Sequence, residues 1–450
     1  MSALLSRIRV LLGLSDAAER WMPVIIGIFI IGFLARAIAL GVFLATDPYF
    51  TMDNDSHGYV SLAENLVAGN GFAWDTAMPW TPDSFRTPAY PLYLAGSLTV
   101  FGSFVPALIG QVFLSLLLGY LMLLIADRYL KIEVGIVAVA VFFLMPFSVL
   151  VTVRYLTQIL FTTFLMLAVW FWLEYLSKGY GKYLTLSSLL TPLAALVRPI
   201  GIFLTAPFIA SLALQALWKQ VSWKKFLGVS AIMVAIFAVA IAPWVYRNYV
   251  VFGLPYLSSI TAVQLYFYDA PAIYAESKDI GYEKARTYMN RHIEEVTGYN
   301  VAENPLLYTE LSPLTETLKK EGLRFALADP MALIETRAEQ FFKFFTRDGI
   351  RYWIEHYGID TYSGWALIPI IAERAVLLLF TFGFFLYSFS MFMRKNITVT
   401  FMALTVLYFA ALSGVMSSAG LRFPAEPLFL LLGTAGLFEV WKLIPKKKSV

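Results

Sequence analysis

Two aspartates, Asp53 and Asp55, stand two residues apart in the first polar stretch of the chain, and His57 follows them. Carboxylates at this spacing can act as general bases toward a hydroxyl group, and they can also form a weak site for a divalent cation. The apolar spacing of the residues up to Gly69 predicts a helix, which Asp55 or Ser56 would cap. Solvated acids on a capped surface helix would produce the same pattern, so this spacing alone is weakly specific.

Five arginines form a second set of groups that could do chemistry: Arg86, Arg154, Arg198, Arg247 and Arg422. The guanidinium group is a planar fork that binds phosphate oxygens in pairs. Four of the five stand close to a proline, which fixes the turn at a helix end and would aim the side chain. Any one of them could instead reach a lipid headgroup or pair with a nearby acid.

The composition shows which elements must hold these groups. Of the 450 residues, 59% are apolar and only 14% are charged, and cysteine is absent. A soluble chain is typically about one quarter charged and less than half apolar. These values exclude a water-soluble enzyme, a disordered protein and a coiled coil, and the lack of cysteine excludes disulfides and thiolate metal sites. The first apolar run, near Trp21, is interpreted as a retained span rather than a signal peptide.

Ten apolar segments are predicted to cross the membrane, because a bilayer core about 30 Å thick needs about 20 apolar residues per helix. They are residues 22–45, 104–126, 134–151, 158–176, 184–197, 200–218, 226–246, 371–392, 397–416 and 427–444. Only Arg198 and Pro199 separate the fifth from the sixth. Ten spans with both termini in the cytoplasm place nearly all other lysines and arginines of the short loops inside, as the positive-inside rule requires. Nine spans would place the last basic clusters outside.

This topology leaves two large segments on the outer face. The acidic segment 47–103 lies between the first two spans, and amphipathic helices predicted at 276–297 and 315–346 could lie on the outer leaflet. The five arginines also fall on this side, where the rule expects few, which favours a site for an anionic lipid headgroup. The chain divides into an N-terminal transmembrane module with the first outer loop (1–246), an outer region (247–370) and C-terminal transmembrane helices (371–450).

Several motifs then resemble, in type and order, one family of membrane enzymes. They are Asp55-Ser56-x-x-Tyr59, Arg86-x-Pro88-x-Tyr90, Leu196-Val197-Arg198-Pro199, Ala242-Pro243-Trp244-x-x-Arg247 and Leu421-Arg422-Phe423. The combination is similar to the GT-C membrane glycosyltransferases. The most similar branch is glycosyltransferase family 39-like, with the protein O-mannosyltransferases and the bacterial aminoarabinose transferase of lipid A. The resemblance spans most of the chain.

The resemblance implies a GT-C-like bundle with outward-facing juxtamembrane helices, a polyprenyl-phosphate-sugar donor, and transfer on the outer face with inversion at the anomeric carbon. It assigns Asp55 as the catalytic base, with Asp53 beside it. We expect Arg86, Arg198, Arg247 and Arg422 to bind the donor phosphate, and Tyr59, His57, Tyr90, Arg154 and Gln158 to bind substrate. Many members have an acid where this chain has Gln158, so we expect no metal ion and no other cofactor.

Two other classes of protein stay open. A transporter or flippase of a lipid-linked anion would share the outer arginines, but it should add midplane polar residues and repeat symmetry, which the chain lacks. A polysaccharide polymerase or ligase uses a similar donor. The leading hypothesis is a plasma-membrane (inner-membrane) glycosyltransferase whose partners are the lipid-linked donor, membrane lipids and an envelope acceptor, which could be lipopolysaccharide, another glycan or a protein.

Overall fold

The computed structural model describes residues 2–443 except 53, 76, 301–313, 357, 362–363 and 415–418. Within these residues the chain is helical and has no strand, only an isolated bridge between Ala73 and Pro82. The predicted all-α fold is therefore confirmed.

The α-helices of the described residues are numbered in chain order. The N-terminal half contains α1 Ser2–Leu11, α2 Met22–Thr46, α3 Asn54–Ala68, α4 Ala89–Phe101, α5 Val105–Tyr129, α6 Ile132–Leu144, α7 Pro146–Thr152, α8 Gln158–Lys178, α9 Gly181–Val197, α10 Thr205–Leu217 and α11 Trp223–Phe252. The C-terminal half contains α12 Ile260–Gln264, α13 Ala270–Lys278, α14 Tyr282–Thr297, α15 Thr315–Leu327, α16 Pro330–Thr346, α17 Arg351–His356, α18 Gly364–Met393, α19 Ile397–Leu412, α20 Ala419–Arg422 and α21 Glu426–Leu443.

In the described part of the chain, 7 helical segments are long and apolar enough to cross a membrane, or 8 if α6 and α7 form one bent span. The chain is therefore a multi-pass membrane protein. The two remaining predicted spans fall on α9 and α19, which have 17 and 16 residues. Both are shorter than the roughly 20 residues of a full span. The predicted count of ten is not confirmed.

The third predicted span is broken rather than straight. Helices α6 and α7 meet at an angle of 65°, because Pro146 cannot donate the hydrogen bond that would continue α6. The buried Arg36 of α2 stabilises this break: its Nη1 donates to the carbonyl of Phe143 (3.1 Å) and its Nη2 to Oγ of Ser148 (2.7 Å). Arg36 thus supplies a donor to a carbonyl in the last turn of a helix, where partners are lacking.

The fifth and sixth predicted spans are separate helical segments. Helix α9 ends at Val197, and a short 3₁₀ turn begins at Pro199. Arg198 between them is extended, with φ −140° and ψ 130°, as expected for a residue before proline. The break therefore leaves Arg198 between the two helical segments.

The helices predicted in the outer region differ from the observed ones in their bounds. The first begins at Tyr282 rather than at residue 276, and the second is divided into α15 and α16. The division falls at Pro330, where Asp329 caps the new helix by accepting the N–H groups of Met331 and Ala332, both at 3.1 Å. A capping aspartate followed by proline at the first helical position is a strong helix start.

The outer region packs directly against the first outer loop. Phe85 shares a buried apolar cluster with Tyr266 and its neighbours. Two hydrogen bonds fix the same loop: the N–H of Ser259 donates to the carbonyl of Ser84 (3.0 Å), and Oγ of Ser258 donates to the carbonyl of Phe85 (2.6 Å). The loop that precedes α4 is therefore held by the outer region rather than left free.

Candidate active site

Asp55 and Arg86 form an ion pair at the start of α3. Nη2 of Arg86 donates to Oδ1 of Asp55 at 2.9 Å, and the Asp55 side chain is 61% exposed whereas that of Arg86 is 4% exposed. Helix α3 begins at Asn54, so the predicted cap at Asp55 or Ser56 is wrong. Oγ of Ser56 instead donates to the carbonyl of Tyr155 (3.0 Å). The carboxylate of Asp55 is open to solvent on one side and held by a buried arginine on the other.

Three aromatic rings enclose the guanidinium group of Arg86. Its central carbon lies 4.6 Å from the ring centre of Tyr59, 4.8 Å from that of Phe85 and 5.8 Å from that of Trp74. Its Nη1 also donates to the hydroxyl of Tyr59 at 3.3 Å. Aromatic faces attract a cation most strongly where water is excluded, so this cage keeps Arg86 charged and fixes its direction.

Trp74 reaches this cage because residue 58 is a glycine. A Cβ atom at Gly58 would overlap the Trp74 ring. The segment is also bonded to α3, since Oγ of Ser61 donates to the carbonyl of Trp74 (2.7 Å) and Nδ2 of Asn65 donates to the carbonyl of Ala73 (2.7 Å). Close approach of a ring to a helix backbone is a steric reason for glycine.

The electrostatic surroundings keep Asp55 ionised and Tyr59 neutral. Although its side chain is 61% exposed, burial has the largest effect on the pKa of Asp55 and raises it, but the charge and hydrogen bond of Arg86 and the charge of Arg198 bring that pKa below its ordinary value. Burial also raises the pKa of Tyr59. The site therefore presents a carboxylate beside a neutral phenol at neutral pH.

Arg198 contributes an unpaired donor to the same site. Its Nη1 is buried and has no hydrogen-bond partner among the residues that the structure describes. Its charge lowers the pKa values of both Asp55 and Tyr59, which places it in the same electrostatic neighbourhood. A buried polar group without a partner costs free energy, and an anionic ligand would satisfy this one.

The first turn of α8 borders the site. Thr157 hydrogen-bonds with the phenol of Tyr59, and Gln158 follows as the first residue of the helix. The amide oxygen of Gln158 is buried and lacks a partner within the described residues. This amide can accept a hydrogen bond from a hydroxyl group of a ligand.

Arg247 supports the outer loop from α11. Its Nη1 donates to the carbonyl of Asp83 (2.7 Å) and its Nη2 to the carbonyl of Phe72 (3.4 Å). Its guanidinium carbon also lies 5.0 Å from the ring centre of Trp244. The hydrogen bonds of Arg247 thus hold two parts of the loop together next to the site, and phosphate binding by this arginine stays a prediction.

Three further residues predicted to bind substrate are Tyr90, Arg154 and His57. Tyr90 is fully buried and donates its hydroxyl to Oε1 of Gln111 (2.9 Å). Nε of Arg154 donates to the carbonyl of Phe50 (3.0 Å), and its guanidinium group covers the Phe50 ring. His57 is exposed on α3. Tyr90 and Arg154 therefore support the packing beneath the site, and substrate contact by either residue stays a prediction.

Arg422 belongs to a different part of the molecule. Its Nε donates to Oε1 of Glu426 at 3.0 Å, and both side chains are 0% exposed. Its Nη1 donates to the carbonyl of Arg347 (2.6 Å). This burial shows that Arg422 contributes to packing, although its Nη2 has no hydrogen-bond partner among the described residues. Phosphate binding by Arg422 stays a prediction. The predicted catalytic residue Asp53 lies outside the described residues.

Three residues of the site were not predicted: Trp74, Asp83 and Phe85. Asp83 is fully buried, and its Oδ1 accepts the N–H of Arg86 at 2.8 Å. Burial raises the pKa of Asp83 to about 6, although the N–H and charge of Arg86 and the charge of Arg247 oppose this rise. The spacing of Asp83 and Arg86, three residues apart, is the signal that could have revealed this turn.

Comparison with solved structures shows which known proteins have a similar fold. The archaeal oligosaccharyltransferase AglB from Archaeoglobus fulgidus, solved with an inhibitory peptide and a dolichol-phosphate, superposes with a TM-score of 0.57 at 13% identity, covering 95% of this chain and 51% of that chain. This chain therefore spans about half the length of AglB. ArnT from Cupriavidus metallidurans, bound to undecaprenyl phosphate, matches at 10% identity with a TM-score of 0.42, covering 94% of this chain and 78% of that chain.

The family comparison agrees with the structural one. A family model described as dolichyl-phosphate-mannose-protein mannosyltransferase matches residues 85–246, whereas no curated protein matches the chain. This match agrees with the resemblance to the GT-C membrane glycosyltransferases that the motifs predicted, and the resemblance is confirmed over these residues. The matched residues include Arg86, Arg198 and the start of α8.

Proposed function

We propose that the protein is an inverting glycosyltransferase that moves a sugar from a polyprenyl-phosphate-linked donor to an acceptor of the cell envelope. The observation that carries this proposal is the exposed carboxylate of Asp55 beside Arg86 and Arg198, both of which have a buried N–H group without a partner among the described residues. The dolichol-phosphate in AglB, which has the same fold, supports a lipid-phosphate donor.

The chemistry follows from the placement of these groups. The carboxylate of Asp55 takes the proton of the acceptor hydroxyl, and the oxygen attacks the anomeric carbon from the face opposite the phosphate. The bond between that carbon and the phosphate oxygen breaks, and its electron pair leaves with the polyprenyl phosphate. Arg86 and Arg198 stabilise the negative charge that develops on this leaving group. One displacement inverts the anomeric carbon.

Arg86 would also couple donor binding to the strength of the base. Without a donor, its charge and hydrogen bond hold the pKa of Asp55 below the ordinary value, which makes the carboxylate a weak base. A donor phosphate competes for the same guanidinium fork, and the pKa of Asp55 then rises because burial remains. Asp55 would gain basicity only when the donor is present.

The transfer is expected to proceed without a metal ion. Gln158 occupies the position at which the resemblance implies an acid in many members, and a neutral amide is a poor ligand for a hard divalent cation. The amide oxygen of Gln158 would instead accept a hydroxyl group of the donor sugar. Transfer that persists in excess chelator would agree with this proposal, and loss of transfer that added Mg²⁺ or Mn²⁺ restores would contradict it.

The cellular setting is also a proposal. The distribution of basic residues supports an enzyme of the plasma (inner) membrane, because such residues are concentrated in cytoplasmic loops. Both termini would then lie in the cytoplasm and the site on the outer face. The outer region from 247 to 370 packs against the Asp83–Arg86 turn through Ser258 and Ser259. Its position supports a role in acceptor choice. The transferred sugar could be a hexose or a pentose.

The lipid that accompanies the purified protein tests the donor class. Wild type, Arg198→Ala and the control Arg20→Ala would be purified in nanodiscs and their lipids identified by mass spectrometry. The Arg20 side chain is 71% exposed, and the predicted topology places it on the inner face. We expect a polyprenyl phosphate or its sugar adduct in wild type and control, depleted in Arg198→Ala. Equal amounts in all three, or bulk phospholipid alone after gentle extraction, would contradict the proposal and favour the transporter alternative.

A further inference from the structure

Asp83 is a buried acid whose place in the loop suggests a task beyond packing. Its side chain is 0% exposed, and its Oδ2 has no hydrogen-bond partner among the described residues. A carboxylate in such a position costs stability unless its neighbours compensate it. A buried acid at this place in the outer loop is therefore a candidate for a role in the neighbouring site.

The contacts of Asp83 connect three parts of the site. Its Oδ1 accepts the N–H of Arg86 at 2.8 Å, its carbonyl accepts Nη1 of Arg247 at 2.7 Å, and its own N–H donates to the carbonyl of Phe72 at 2.9 Å. The carboxylate thus closes the turn from which Arg86 projects, and the charges of Arg86 and Arg247 both act on it. The outer region holds the same turn through Ser258 and Ser259.

The geometry of the turn determines where the Arg86 side chain begins. Arg86 Nη2 reaches Asp55 at 2.9 Å, and the aromatic rings around its guanidinium group leave it little freedom. A rotation of the Arg86 peptide would therefore move the guanidinium fork relative to both Asp55 and a bound phosphate. Displacements of about 1 Å at such groups are enough to reduce activity strongly.

We propose that Asp83 is a positioning residue of the donor site, which sets the direction of Arg86 by accepting its backbone N–H. This inference rests on the proposed glycosyltransferase function. It assigns to Asp83 an effect on the donor and not on the acceptor, because Arg86 is the group that would meet the donor phosphate.

Steady-state kinetics with donor and acceptor varied separately test this role. Asp83→Ala removes the acceptor for the Arg86 N–H, and we expect the KM for the donor to rise about tenfold, the effect of one lost hydrogen bond, with the acceptor KM unchanged. Asp83→Asn keeps an oxygen in the same place and should recover most of the loss. If Asp83→Ala does not fold, Asp83→Glu replaces it, since it keeps the charge but displaces the oxygen.

Asp75 supplies the matched control in the same loop. Its Oδ2 accepts the N–H of Thr81 at 2.6 Å, so Asp75→Ala loses an equivalent loop hydrogen bond with no arginine involved. A donor KM that stays within about twofold in Asp83→Ala (or in Asp83→Glu where it replaces it), or that rises equally in Asp75→Ala, would overturn the inference. Failure of the wild-type protein to transfer any sugar would instead count against the proposed function itself.

Discussion

The ion pair between Asp55 and Arg86 is asymmetric: the two side chains meet at 2.9 Å, but the acid is 61% exposed and the arginine only 4%. A surface ion pair has two mobile partners and contributes little to stability. Here Arg86 is fixed by aromatic rings and by the turn from which it projects, whereas the carboxylate of Asp55 is exposed to solvent. This arrangement suits a carboxylate that acts on an incoming group and an arginine whose position must not change.

The buried pair of Arg422 and Glu426 is predicted to stabilise the fold. Arg422→Ala would leave Glu426 buried without its partner, and such a loss typically costs about 3–5 kcal/mol. Thermal unfolding in detergent should show a marked decrease in Tm. The double variant Arg422→Met with Glu426→Leu removes both charges and should recover most of the stability. An unchanged Tm in Arg422→Ala, with weaker binding of polyprenyl phosphate, would contradict this and support the role predicted from sequence.

Gly58 is predicted to be required for the aromatic cage around Arg86. Gly58→Ala places a Cβ atom inside the Trp74 ring, so the ring must move away from Arg86 and we expect transfer to fall by about tenfold or more. Gly96→Ala is the control, because residue 96 lies in α4 with nothing within 4 Å of the added atom. Transfer activity would be measured for both variants, using equal amounts of folded protein. Equal activity of the two would show that the position of Trp74 does not matter.

The stability of the protein should depend on pH through Asp83. Burial raises the pKa of Asp83 from 3.8 to about 6 in the folded protein, so between these values the folded state binds more protons than the unfolded state. Stability from this group is therefore present below pH 4 and decreases as the pH rises to 6. Asp83→Asn cannot ionise, so its free energy of unfolding relative to wild type should increase by about 2 kcal/mol from pH 4 to pH 7. A difference in the free energy of unfolding between Asp83→Asn and wild type that stays constant from pH 4 to pH 7 would contradict the prediction.

Much of the architecture could be predicted because it depends on local composition. Apolar length located the 7 or 8 helical segments that are long enough to cross a membrane, and the proline after Arg198 located the break between α9 and the next helical segment. The bend between α6 and α7 also has a local cause, Pro146, but its stabilisation by Arg36 depends on a residue more than a hundred positions away. Chain-distant contacts of this kind leave no periodic pattern.

The site was harder to predict because an arginine looks the same in sequence whatever its partner. Arg86 and Arg198 lie beside Asp55, whereas Arg154 bonds a carbonyl of the Phe50 turn and Arg422 is buried with Glu426. Only the last pair has a local signature, since residues four apart face each other on a helix. The partners of the others depend on how distant segments pack, as does the need for glycine at position 58.

The role of Asp55 as the base is the central claim, and the variant Asp55→Asn tests it most directly. The amide keeps the size of the side chain and an oxygen for Arg86, but it cannot take a proton from the acceptor hydroxyl. Transfer from a polyprenyl-phosphate-linked sugar and the increase in Tm on adding polyprenyl phosphate would be measured on the same preparation. We predict that transfer is lost, by about a thousandfold or more, while the increase in Tm persists. Near-normal turnover by Asp55→Asn would contradict the account.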